Sequence, residues 1–156
     1  MADKYVVIKD TREQEGWVFT TSGSCSGTIS EKLDTGDYSI VGYESIFTIE
    51  RKGSIAEFAK NLVQDRFERE MERMQDIKHS YILLEFTMDD LINYPKTLKL
   101  NYNQKKKIKL RGPFLLKRLI EISVKYKPAI LFCGSHGKQV ADSIFKRIIE
   151  SEGRTD

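Results

Sequence analysis

The chain has 156 residues, of which 40% are hydrophobic and 31% charged, with a formal net charge of +3. This length supports one domain with a full core, and the composition is that of a folded globular protein rather than a disordered one. No apolar run approaches the roughly 18 residues that cross a membrane, and the opening MADKYVVIKD lacks the layout of a signal peptide.

The elements read as follows in chain order. YVVIKD (5–10) is a short β-branched run and predicts a buried strand. TSGSCSG (21–27) is small, flexible and loop-like. TISEKLDTGDYSIVG holds a strand, a turn at Thr35-Gly36-Asp37 and a second strand. IFTIERK (46–52) alternates, with Thr48, Glu50 and Lys52 on one face and Phe47, Ile49 and Arg51 on the other. Ser54 and Glu57 form an S-x-x-E capping box, which predicts a helix start. The apolar stripe of that helix runs from Ile55 through Phe58, Leu62, Phe67 and Met71 to Met74. YILLEF (81–86) predicts another buried strand, followed by a helical turn at Met88–Tyr94 that ends at Pro95. Residues 96–112 show no clear period. Pro113 opens a helix carrying Leu115, Leu116, Leu119, Ile120 and Ile122. The strand AILFC follows Pro128, and a last helix carries Val140, Ala141, Ile144, Phe145, Ile148 and Ile149. Strands followed by helices, with apolar central strands, predict an α/β fold: one sheet covered by helices on both faces.

The end of IFTIERK poses a chemical question. Charges inside an apolar run are costly unless they pair or bind something. The two-residue spacing puts Glu50 and Lys52 on one face, and Asp37 lies one hairpin away. Two convergent carboxylates suit a hard divalent cation such as magnesium, and a neighbouring lysine suits the attack of water on a phosphodiester. Spacing alone leaves an ordinary Glu–Lys ion pair equally open.

The charge is unevenly spread. No acidic residue lies between Asp90 and Glu121, and this window holds nine Lys and Arg, among them Lys105, Lys106, Lys107, Lys109, Arg111, Lys117 and Arg118. Such a patch suggests a polyanionic partner, with a solvated loop as the alternative.

D-T-R-E at 10–13, G-D-Y at 36–38 and E-R-K at 50–52, in this order, resemble the XPF-type structure-specific endonucleases of the restriction-endonuclease-like superfamily. Asp65-Arg66-Phe67, YILLEF and the LLKRLIEISVKYKPAILFCGS block extend the resemblance over the whole chain. It implies one nuclease domain over residues 1–156 and a central mixed sheet flanked by helices on both faces; in a departure from the family, no helix-hairpin-helix or helicase domain is expected. It implies a DNA endonuclease using Mg²⁺, with Mn²⁺ as a substitute. Asp37 and Glu50 match the metal carboxylates, Lys52 the catalytic lysine, and Asp10 the first acidic position close to the metal. Arg12 and Glu13 match the polar pair that follows Asp10, Arg51 the middle of the motif, and Arg66 a helix position that approaches DNA. The basic segment (Lys105, Lys106, Lys107, Lys109 and Arg111) would track phosphate. The family's motif continues to an aspartate, where this chain has Ala56 with Glu57 beside it. The resemblance further implies a homodimer through the C-terminal helices, with DNA as partner. The family also contains inactive scaffolding partners, which would be marked by loss of the motif.

Other signals point elsewhere. GSHGK (134–138) lacks the spacing of a phosphate loop, so no nucleotide cofactor is expected. Cys25, Cys133, His79 and His136 have no metal-ligand spacing, and the two cysteines fit a reducing intracellular compartment, cytoplasmic or, in a eukaryote, nuclear. Trp17 suits packing better than base stacking.

Overall fold

A computed structural model describes residues 3–153; residues 1–2 and 154–156, the two ends of the expected domain span, lie outside the described residues. Six strands form one sheet in the order β2-β1-β3-β4-β5-β6. They are β1 (Tyr5–Lys9), β2 (Cys25–Ser30), β3 (Tyr38–Ile40), β4 (Phe47–Lys52), β5 (His79–Leu84) and β6 (Ala129–Phe132). β3 runs antiparallel to both neighbours, and the other pairings are parallel, so the sheet is mixed as expected.

Helices cover both faces. On one side lie α1 (Ile55–Val63), α2 (Arg66–Met74), α3 (Met88–Ile92) and α5 (Gly112–Lys125), packed on Ile82 and Leu84 of β5. On the other side, α6 (Gly137–Glu152) packs with Trp17 and Phe19 on Val7, Phe47, Ile49 and Leu83. The alternation of β5, with Ile82 and Leu84 on one face and Leu83 on the other, separates these two cores. Each fully buried Phe or Leu contributes roughly 1.5–3 kcal/mol, so both faces are strongly anchored.

The structure departs from the sequence expectations in four places. The helix from Ser54 does not run unbroken to Met74. It ends at Val63, and Asp65, with φ 58°, turns the chain before α2 begins. Asp tolerates this left-handed conformation better than most residues, and the break shows in the apolar stripe as the five-residue step from Leu62 to Phe67. The capping box is half made: Glu57 N–H donates to Ser54 Oγ at 3.3 Å, without the reciprocal side-chain bond. The segment read as a loop at 21–27 already enters the edge strand β2 at Cys25. The basic stretch contains a short helix, α4 (Tyr102–Lys106), capped by Asn101 and Gln104.

Candidate active site

Three strands converge at one end of the sheet. The Asp10 N–H donates to the Asp37 carbonyl at 2.8 Å, and the Asp37 N–H donates to the Ile49 carbonyl at 2.8 Å. This ladder places Asp10, Asp37 and Glu50 on consecutive strands. The turn before Asp37 needs its glycine. Gly36 has φ +84°, and a Cβ there would overlap Thr48 Oγ1, which donates to the Thr35 carbonyl. The G-D pair is therefore a close-approach turn that delivers the aspartate.

The Asp37 and Glu50 carboxyls lie close enough for each to perturb the other's ionisation. Burial, and then the negative charge of Asp37, push Glu50 well above the usual carboxylate range. Burial also raises Asp37, against the pull of the Arg51 amide, which donates to its Oδ2 at 2.8 Å. Two recessed acids that cannot both ionise comfortably are a strained pair, and a cation would relieve it.

Lys52 Nζ lies 3.7 Å from Glu50 Oε1 and 2.6 Å from Glu70 Oε2, with its side chain only 10% exposed. Glu70 comes from α2 and is itself buried. Motif spacing does not single it out, yet the sequence carries a signal. Glu70 falls between Phe67 and Met71 on the core-facing stripe of α2, where a carboxylate is out of place.

Asp10 stands beside the pair but is fully engaged. Its Oδ2 accepts from Arg12 N–H at 3.1 Å and Nε at 2.9 Å, and its Oδ1 accepts from the Leu33 amide at 2.8 Å. Burial works against its ionisation, but these donors hold its pKa below the usual value. The geometry makes it a brace for the 31–37 turn, in the same hollow as Asp37 and Glu50. Glu13 is pushed up to about 7 by burial and by the charge of Asp37.

Arg51 points to the opposite face. Its guanidinium pairs with Glu85, lies 3.7 Å from Glu13 and sits over the Trp17 ring at 5.7 Å. Trp17 stacks on Tyr38, and its backbone N–H donates to Tyr38 Oη at 2.7 Å, so the indole packs in the core.

Two polar hollows open on either side of the Asp37–Glu50 pair, of about 470 and 280 Å³, and they share Asp37, Glu50, Arg66 and Glu70. Lys52, Glu13 and Glu57 line the larger. Asp10, Arg12 and Arg73 line the smaller. Arg66 is exposed at the rim, 3.9 Å from Glu70 Oε1. Glu57, beside Ala56, thus does reach the site's rim.

The basic segment does not line either hollow. Lys106, Lys107, Lys109 and Arg111 are exposed, while Lys105 Nζ donates to the Lys96 carbonyl at 2.6 Å and Arg111 to nearby carbonyls. Arg118 is not free: it binds Asp65 at 2.9 Å and Glu68 at 3.1 Å.

Among the described residues, no group of three or more His, Cys, Asp or Glu side chains is arranged to hold a metal ion. The donor set nevertheless fits magnesium, which uses one or two carboxylates and fills its shell with water and substrate phosphate. Asp37 and Glu50 would supply those two.

Comparison with known proteins converges on one family. XPF from Aeropyrum pernix has the same fold, with a TM-score of 0.62 and 17% identity, covering 96% of this chain and 65% of that one. XPF from Aeropyrum pernix in complex with DNA is similar, with a TM-score of 0.61 and 18% identity, covering 98% and 68%. The chain thus spans about two thirds of the length of these relatives. No curated protein matches it. The ERCC4 domain matches residues 10–145, from the brace aspartate to the middle of α6, and by that match the chain belongs to the ERCC4 domain family.

Proposed function

We propose that the protein is a magnesium- or manganese-dependent DNA endonuclease acting on branched, flapped or nicked DNA. The observation that carries this reading is the meeting of Asp37 and Glu50 from different strands, with the Lys52 ammonium on the same face. Membership of the ERCC4 family and the XPF fold, including a relative in complex with DNA, support it.

Asp37 and Glu50 would hold a divalent cation, which would supply Lewis-acid polarisation of a phosphoryl oxygen and a lowered pKa for bound water. Lys52 would stand beside the attacked phosphate, on the same face as Glu50. Arg12, Arg66 and Arg73, around the smaller hollow, offer guanidinium donors to flanking phosphates. Glu50 must give up its proton before it serves as a ligand, so acid weakens the site. Beyond the site, the lysines of 105–109 extend the grip on the DNA backbone.

The reading includes a homodimer. The α6 stripe assigned to it from sequence does not serve, because Phe145 is fully buried against Tyr5, Phe19 and Phe47 of its own chain. Phe114, Ile120 and Val124 on α5, 52%, 51% and 82% exposed, are apolar residues left for a partner copy. Val124→Glu should then lower the sedimentation coefficient of the wild-type species, and an unchanged coefficient would remove α5 from the interface.

The decisive experiment uses labelled flap, fork, nicked, Holliday-junction, single-stranded and linear duplex DNA in Mg²⁺, in Mn²⁺ and in chelator. Metal-dependent cleavage of branched forms is expected. Binding without cleavage in either metal would make the protein an inactive DNA-binding partner.

A further inference from the structure

We propose that Glu70 is a positioning residue that holds the Lys52 ammonium off Glu50 and so keeps the Glu50 carboxylate available to a divalent cation. The inference rests on the metal-site reading above.

Lys52 faces two carboxylates, and its Nζ lies 2.6 Å from Glu70 and 3.7 Å from Glu50. Ionic attraction rises as distance falls, and it is strong where water is scarce. The nearer acid therefore takes most of the ammonium's charge. Glu70 is fixed in place: Phe67, Met71 and Met74 of the same helix are at most 1% exposed. The left-handed turn at Asp65 sets the angle at which α2 brings Glu70 over the end of β4.

Glu70 has no other evident work. Its Oε2 is buried without a hydrogen bond among the described residues, and its close neighbour is the Lys52 ammonium. Arg66 is exposed and more distant, at 3.9 Å from Oε1. Burying a carboxylate on a core-facing stripe is unfavourable, and the ammonium offsets that penalty. Were Glu70 neutral, the ammonium would be left with Glu50 alone. Lys52 and the cation would then compete for the same oxygens. Groups that orient a metal's ligands from outside the coordination shell commonly alter affinity this way.

The test measures Mn²⁺ binding to the full chain without DNA, from the electron paramagnetic resonance signal of free Mn²⁺. The proteins are wild type, Asp37→Asn, Glu70→Gln, Lys52→Met and the Glu70→Gln/Lys52→Met double variant. Glu70→Gln should weaken binding about tenfold or more. Lys52→Met should bind at least as well as wild type, and adding Glu70→Gln to it should change nothing, because Glu70 acts through Lys52. Equal affinity of Glu70→Gln and wild type would overturn the proposal. So would a tenfold loss that persists in the Lys52→Met background, which would make Glu70 act on the metal directly. Asp37→Asn separates the underlying reading: if it binds as wild type does, the metal site itself is wrong and the Glu70 role falls with it. Should Glu70→Gln fail to fold by circular dichroism, Glu70→Asp, which keeps the charge but shortens the reach, is read the same way.

Discussion

The two faces of β4 do opposite things with neighbouring residues. Toward α1 and α2, Glu50 and Lys52 enter a polar hollow where acids crowd and burial raises the pKa of Glu50 and Asp37. Toward α6, Arg51 is locked between Glu85, Glu13 and the Trp17 ring. The E-R-K triplet is therefore two devices on one strand. One face keeps charges unbalanced, which suits ligand binding. The other pairs an arginine with two acids and an aromatic ring, which suits stability. Sites that bind substrate often hold such locally unfavourable arrangements at the expense of stability.

This contrast can be broken most sharply at Asp37. Asp37→Asn or Glu50→Gln should reduce cleavage by a thousandfold or more, on the order of 4 kcal/mol of lost transition-state stabilisation. The same variants should melt no lower than wild type, since they remove one of two crowded acids. A cleavage rate near wild type in Mg²⁺ would end the assignment.

Arg51→Ala should show the reverse pattern. Removing the partner of two largely buried carboxylates should destabilise the fold by about 3 kcal/mol, read from urea melts. The fraction that remains folded should still bind Mn²⁺. A variant of full stability that has lost metal binding would place Arg51 on the wrong side of the comparison.

The basic segment lies on neither device. Changing Lys105, Lys106 and Lys107 to Glu should lower the slope of log affinity against log salt by about 0.9 for each phosphate no longer neutralised. Cleavage at saturating enzyme should stay close to normal. An unchanged slope would show a solvated loop.

Glu13 bridges the two faces and predicts the smallest effect. Its carboxyl is raised from 4.5 to about 7 by burial. Between those values the folded chain holds a proton that the unfolded chain has lost, so stability falls as pH rises through that window. Glu13→Gln should flatten the decline in melting temperature from pH 5 to pH 8. Parallel curves for the two proteins would show that Glu13 does not titrate there.

Much of this is legible in the sequence, for local reasons. The order of strands and helices follows from apolar periodicity, and the G-D and E-R-K motifs carry their geometry in a few residues. Gly36 is needed because its turn leaves no room for a Cβ, and alternation alone sends Arg51 away from Glu50 and Lys52. Three matters needed the tertiary structure. The break at Asp65 shows in the sequence only as a slip in phase, five residues from Leu62 to Phe67 where a continuous helix repeats after three or four, and that slip does not say how α2 is turned. The sequence leaves Phe145 open to its own core or to a partner copy, because whether an apolar stripe meets its own sheet or another chain depends on how much surface the other elements leave uncovered. Glu70 is 18 residues from Lys52 in the chain and touches it only because α2 folds back over the end of β4. Periodicity tells which side of a helix is buried. Which charge a buried carboxylate meets is decided by the packing of one element on another, and sequence spacing does not encode that meeting.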